Sequence, residues 1–229
     1  NARAQFILGQ IYANGNGVPQ DTNGAVVWWI KSAEQGYPDA VLTIASMYNS
    51  GKIVPHDDTQ AVRWYHKAAD LGDIVAQNAL GMAYYKGQGI SQDYKEAVTY
   101  FLKAAEQGMP QSMFNLGIAY LNGHGVPGDA KEAAAWFLKA AGLNMVSAQA
   151  NLGIMYFTGK GVPKDYKAAA EWFRKAADHG DASSQNSLGF LYFNGLGVPQ
   201  NNKEAAIWLR KAADQGFAQS RFYLGVMYE

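Results

Sequence analysis

The tyrosines of this chain fall on a 36-residue grid: Tyr12, Tyr48, Tyr84, Tyr120, Tyr156, Tyr192 and Tyr228, with no insertion or deletion between them. Leu-Gly pairs keep the same interval at Leu8-Gly9, Leu80-Gly81, Leu116-Gly117, Leu152-Gly153, Leu188-Gly189 and Leu224-Gly225, with Ile44-Ala45 as the one substitute. A fixed period of this length predicts a solenoid, in which each unit buries its apolar face only by stacking on its neighbours. The sequence divides into six repeats (1–36, 37–72, 73–108, 109–144, 145–180 and 181–216) and a partial seventh, 217–229, read as a single array over 1–229. The main product of such an array is a long surface, which points to binding another macromolecule.

The repeat that begins at Met145 shows the local logic. Ala148, Leu152, Met155 and Tyr156 share one face of a helix predicted over about 146–157. Thr158-Gly159-Lys160-Gly161-Val162-Pro163-Lys164 then forms a loop that no helix would tolerate. Asp165 caps a second helix, as Asp21, Asp57, Asp93, Asp129 and Asn201 do elsewhere. Glu96, Glu132 and Glu204 follow their caps at capping-box spacing. Ala169, Trp172, Phe173, Ala176 and Ala177 face the core from the second helix, which ends at Gly180; Asn144 is the one non-glycine at that position, and both residue types accept the left-handed conformation after a helix. The fold class is therefore all-α, a solenoid of antiparallel helix pairs.

Of 25 glycines, 22 occupy four repeat positions, so glycine here serves architecture. Gly159-Lys160-Gly161 lacks the Gly-Lys-Ser/Thr ending of a phosphate-binding loop. Gly153 and its equivalents sit inside helices, where glycine costs about 1 kcal/mol relative to alanine. Close packing against the aromatic pair of a second helix is the expected compensation. Those pairs are Trp28-Trp29, Trp64-Tyr65, Tyr100-Phe101, Trp136-Phe137, Trp172-Phe173 and Trp208-Leu209.

The motif Ala-x-x-x-Leu-Gly-x-x-Tyr, then Gly-x-Gly-Val-Pro-x-Asp, then Ala-x-x-Trp-x-x-Lys-Ala-Ala-x-x-Gly runs through Ala148–Gly180. It resembles the Sel1-like repeat family, a relative of the tetratricopeptide repeat, over the whole chain. Repeat two departs most, with Ala45 and Ile53 in place of glycines; repeat three has Ile90-Ser91 for Val-Pro. The resemblance implies a right-handed superhelical solenoid whose first helices line a concave side. It also implies a bacterial, non-catalytic adaptor or scaffold for protein complexes, with host interaction among the family's roles and a secreted or periplasmic setting. Cysteine-rich relatives have been associated with β-lactam binding or hydrolysis, but this chain has no cysteine.

The face of the first helices opposite the core carries the variable positions. From the third repeat onward it is apolar: Met82 and Tyr85, then Phe114, Ile118 and Leu121, then Ile154 and Phe157, then Phe190 and Phe193, then Phe222 and Val226. Asparagines Asn78, Asn115, Asn151 and Asn186 are interleaved. An amide both donates to a peptide carbonyl and accepts from a peptide N–H, so the expected ligand is a peptide segment or helix of a partner protein. Packing between neighbouring first helices is the competing account of the same residues. The first two repeats are more polar there, with Arg3, Gln10, Asp39, Thr43, Ser46 and Asn49. The alternatives to a binding scaffold are a structural spacer in an envelope or secretion assembly and, further off, a hydrolase or glycan-binding protein.

No basic stripe suggests nucleic acid: 19 basic and 19 acidic residues balance. No apolar run is long enough to span a bilayer. His56, His66, His124 and His179 lack helical metal spacing and read as solvated, with no cofactor implied. The series Lys31, Lys67, Lys103, Lys139, Lys175 and Lys211 is expected to ion-pair with acids three residues on, such as Glu34 and Asp178. No nucleophile-base arrangement interrupts the repeat. The chain starts at Asn1 and stops within a helix, as expected of the repeat core of a longer protein; Phe222, Leu224 and Met227 then offer an open end for a further helix or for self-association.

Overall fold

Each repeat folds as two helices because the sequence places a cap, a periodic apolar face and a left-handed stop in the same order each time. The computed structural model describes residues 1–228, all helical or in loops, in two compact units that meet in sequence at Met109 and Pro110. The first unit holds the first helices α1 (Ala2–Asn14), α3 (Pro38–Ser50) and α5 (Ile74–Lys86), alternating with the second helices α2 (Thr22–Glu34), α4 (Asp58–Asp70) and α6 (Tyr94–Glu106). In the second unit the first helices are α7 (Pro110–Asn122), α9 (Val146–Thr158), α11 (Ala182–Asn194) and α13 (Ala218–Tyr228). They alternate with α8 (Ala130–Gly142), α10 (Tyr166–Asp178) and α12 (Asn202–Asp214). Within each unit a second helix packs on the first helix of its own repeat and on that of the next.

The N-cap side chains bond as the sequence predicts, but the capping boxes do not form: the N–H groups of Asp93, Asp129 and Asn201 donate to tyrosine carbonyls and not to Glu96, Glu132 and Glu204. The Asp165 carboxylate accepts from the Lys167 and Ala168 N–H groups at 2.9 and 3.0 Å. Its own N–H donates to the Tyr156 carbonyl at 2.9 Å, closing the glycine-proline loop into a ring. The same bond joins Asp21 to Tyr12, Asp57 to Tyr48, Asp93 to Tyr84, Asp129 to Tyr120 and Asn201 to Tyr192. Gly159 ends α9 in the left-handed region, at φ 79°. The second loop glycine has a different task. A Cβ at Gly161 would collide with the Ala130 carbonyl of the preceding repeat, and Gly89 and Gly197 meet Asp58 and Tyr166 backbone in the same way.

Helical glycines carry the packing within a repeat. A Cβ on Gly153 would lie 2.5 Å from Phe173 Cδ1. Gly81 meets Phe101, Gly117 meets Phe137, Gly9 meets Trp29 and Gly189 meets Leu209 equivalently. It is the second member of each aromatic pair that fills the gap. Phe101 and Phe137 are among the largest fully buried side chains, and second-helix alanines such as Ala104, Ala140 and Ala176 are fully buried as well. In repeat two Ala45 replaces the glycine and is fully buried.

Two expectations about charged and polar residues are corrected. The lysine series sits on aromatic rings instead of pairing with the acids: Lys139 Nζ lies 3.9 Å from the Trp136 ring centroid, Lys175 4.0 Å from Trp172 and Lys211 4.1 Å from Trp208. The three-residue spacing that suits a helical ion pair suits this cation–π contact equally, and the ring shields the ammonium's stem. His66 is not a solvated surface residue. It is half-buried, with its ring nitrogens 3.4 Å from the Tyr84 hydroxyl and 3.2 Å from that of Tyr100. Burial pushes the pKa of both tyrosines upward. Arg174 holds the equivalent place in repeat five, against Tyr192 and Trp208.

His56 staples its loop: Nδ1 lies 2.9 Å from the Asn49 carbonyl and Nε2 3.1 Å from the Asp58 carboxylate. Gln20, Gln92 and Gln200 bond the equivalent carbonyls of Ala13, Tyr85 and Phe193. The Asn49 carbonyl first, and Asp58 second, raise the His56 pKa above its ordinary value. A raised folded-state pKa means that this staple's contribution is complete below the unfolded value, about 6.5, and is lost as pH rises through the folded value. An NMR titration is expected to find His56 above the ordinary histidine range, and Asp58→Asn to lower it without returning it fully.

Replacing Gly153 by alanine is expected to lower stability by about 1–3 kcal/mol, the cost of an overpacked contact that outweighs the gain in helix propensity. A methyl group on Gly225 would have no neighbour within 4 Å, so Gly225→Ala is expected to leave the urea midpoint unchanged or raise it.

Candidate partner-binding face

A concavity among the apolar first-helix residues lies in the second unit. Ile154 and Phe157 of α9, Asn186, Ser187 and Phe190 of α11, Gln219 and Tyr223 of α13, and Phe173 of α10 line a pocket of about 270 Å³. The rings form a connected series. Phe157 meets Phe190 edge to face at a centroid distance of 6.2 Å, and Phe190 and Phe193 meet Tyr223 at 5.6 and 6.5 Å. Tyr166 flanks Phe157 at 5.3 Å. Ile154 stays 47% exposed although it is flanked by these rings. An apolar cavity with exposed rims and a few polar groups suits a bulky side chain presented by a polar backbone.

The sequence-predicted residues divide as follows. Ile154, Phe157, Asn186 and Phe190 come together in this pocket, and Phe193 joins it through Tyr223. Phe114 packs onto Phe137 at 5.5 Å, and Ile118 and Leu121 are half-buried on the same helix, α7. In the first unit Met82 lines a separate pocket of about 280 Å³ with Asn49, Val62 and Tyr65. Tyr85 stacks edge to face on Tyr94 at 5.1 Å, and Asn78 is half-buried.

The asparagines are less free than a row of open amides. Asn186 is buried, and its Oδ1 accepts from the Ser220 hydroxyl at 2.8 Å, leaving Nδ2 as its donor group. Asn151 Nδ2 donates to the Ser147 carbonyl at 2.8 Å, leaving Oδ1 as its acceptor. Asn115 Oδ1 accepts from Gln111 at 3.2 Å. Each amide in this unit therefore commits part of its capacity to its own or the neighbouring helix.

Tyr223, Ser187, Gln219 and Phe173 are lining residues beyond those the sequence pattern marks as this face. Tyr223, Ser187 and Gln219 occupy repeat positions equivalent to predicted face residues, so their positions carry the signal; two are polar, and Tyr223 lies next to the more conspicuous Phe222. Phe222 is 67% exposed and packs edge to face on Tyr223. Among the described residues no group of three or more histidines and acids is placed to hold a metal ion, and no helix is long and apolar enough to cross a membrane.

The Sel1 repeat family matches this chain six times, at residues 2–37, 39–73, 74–109, 110–145, 146–181 and 182–217. Among solved structures, a protective antigen of uropathogenic Escherichia coli strains with an SLR fold is 38% identical, with a TM-score of 0.93 over 99% of this chain and 49% of the other. A Sel1 repeat protein from Oxalobacter formigenes is 36% identical, with a TM-score of 0.84 over 99% of this chain and 66% of the other. The chain thus spans about half the length of the first and about two thirds of the second. A Sel1 repeat protein from Klebsiella pneumoniae shares the fold at 23% identity and a TM-score of 0.53. No curated protein of similar sequence was found. Six consecutive matches on the same grid as the tyrosines place the chain in the Sel1 repeat family.

Proposed function

We propose that this protein is an interaction scaffold whose first-helix face in the second unit binds a peptide segment of a partner protein. The observation that carries this reading is the pocket built by Ile154, Phe157, Phe190 and Tyr223 with Asn186, Ser187 and Gln219 at its polar places. A pocket of about 270 Å³ accepts one large apolar or aromatic anchor. The remaining amide and hydroxyl capacity meets the backbone on either side of that anchor, so the anchor selects the sequence and the polar groups set the register. Asn151 adds an acceptor, and Phe193 and Phe114 extend the apolar surface along the same set of helices. Met82 and Tyr85, with Asn78, form a second contact surface in the first unit.

The reading favours a scaffold over a catalyst because the polar groups at this face, Asn186, Ser187 and Gln219, are amides and a hydroxyl. None is an acid, a base or a nucleophile beside one. Family membership supports it, since a repeat array keeps its core constant while varying the outward positions.

The test is a peptide-array screen followed by titration of a retained peptide. The expected ligand has one aromatic or large aliphatic anchor. Phe190→Glu and Phe157→Glu are each expected to weaken it at least tenfold, about 1.4 kcal/mol, while far-UV circular dichroism and the melting curve stay close to those of the parent. Retention of the ligand by both folded variants would refute the assignment of this face.

A further inference from the structure

Two equivalent positions recur in each repeat, one near the start of the first helix and one just after the second helix, and in five of the six repeats the two residues match in polarity. They are Gln5 with Gln35, Val41 with Leu71, Gln77 with Gln107, Met113 with Leu143, and Gln185 with Gln215. In the three polar pairs the later glutamine donates its amide N–H to the earlier one's oxygen, at 2.8 Å for Gln107 to Gln77 and 2.9 Å for Gln215 to Gln185. Repeat five breaks the rule, because these two positions hold Gln149 and His179.

The mismatch leaves a buried acceptor without a donor. Gln149 is 2% exposed, and its Oε1 has no hydrogen-bond partner. Its Nε2 is turned to the Ala141 carbonyl at 3.5 Å, as Gln185 Nε2 is turned to Ala177 at 3.1 Å. His179 caps α10 in an exposed position and does not replace the missing arm. Where the arm would lie there is a cleft of about 350 Å³, lined by Gln149 together with Trp172, Lys175, Asp178 and His179.

We propose that this cleft binds the side-chain carboxamide of a glutamine or asparagine supplied by a partner protein. The sister repeats define the chemistry, since the group that satisfies the equivalent oxygen is a primary amide each time. A carboxylate has no hydrogen to give Gln149 Oε1. An ammonium would be drawn to Asp178 but would be repelled by the Lys175 ammonium, which rests 4.0 Å over the Trp172 ring in the same cleft. A carboxamide avoids both problems. One N–H serves Oε1, and its second N–H and its carbonyl match the Asp178 carboxylate and the Lys175 ammonium that line the site. This cleft shares no lining residue with the aromatic pocket, and the two assignments stand or fall separately.

The experiment compares the tripeptides acetyl-Ala-Gln-Ala and acetyl-Ala-Glu-Ala, with the Gln149 side-chain amide and the Trp172 indole N–H followed by NMR. The glutamine peptide is expected to shift both signals saturably, and the glutamate peptide to bind at least tenfold more weakly. His179→Gln restores the internal arm and is expected to weaken the glutamine peptide at least tenfold. Gln149→Met, the residue that repeat four carries as Met113, is expected to abolish the Trp172 response while the fold persists. No shift with the glutamine peptide, equal shifts with both peptides, or binding that survives in either folded variant would overturn the proposal.

Discussion

Everything in this fold depends on how closely two helices approach within a repeat, and a missing methyl group sets that distance. Where Gly153 faces Phe173, the ring occupies the space that any other residue at 153 would need. The glycine sacrifices helix propensity, about 1 kcal/mol, and the buried aromatic more than offsets that through apolar area removed from water. Because the contact recurs through the array, the alanines of the second helices can be small and fully buried, and the next first helix can rest on them. Repeat two shows the tolerance of the scheme. Ala45 takes the glycine's place in the repeat that carries Tyr65, whose pKa is raised by its burial.

Features repeated in the sequence were legible because repetition is itself the evidence. The caps at Asp93, Asp129 and Asp165, the left-handed residues at Gly180 and Asn144, and the facing of glycine against the aromatic pair all follow from spacing and backbone chemistry. What escaped was decided by which of several available partners each side chain takes, some of them distant in sequence. Lys175 and Asp178 have helical ion-pair spacing, but Trp172 has the same spacing on the other side, and only packing shows that the ring holds the ammonium. His66 reads as surface in the sequence because nothing near it in the chain marks Tyr84 and Tyr100 as its neighbours. Helical spacing groups the face residues on one side of the first helices, whereas the partners already held by Asn186 and Asn151 became visible only when Ser220 and Ser147 were placed beside them.

Specialisation in this molecule occurs at positions that the common core does not use. The aromatic pocket arises where Phe157, Phe190 and Tyr223 happen to be large in consecutive repeats, and the cleft beside Gln149 arises where one tie between helices has lost its second half. Neither requires any change in the glycine contacts, the caps or the loop rings. The same place in the repeat that carries His66 in one unit carries Arg174 in the other, each set between aromatic groups of the following repeat. A constant frame thus presents different chemistry at equivalent sites.

The second loop glycine has the widest reach of these features. At Gly89, Gly161 and Gly197 the loop lies directly on the main chain at the start of the preceding second helix. Main chain touching main chain carries no information about side-chain identity, so at these three joints the stagger does not depend on which residues the repeats display. A repeat can therefore be duplicated, deleted or exchanged as a whole cassette without disturbing the alignment of those that remain. A single residue added inside the loop, by contrast, would put every later cassette out of phase, and the unbroken spacing of the chain is what that constraint leaves behind.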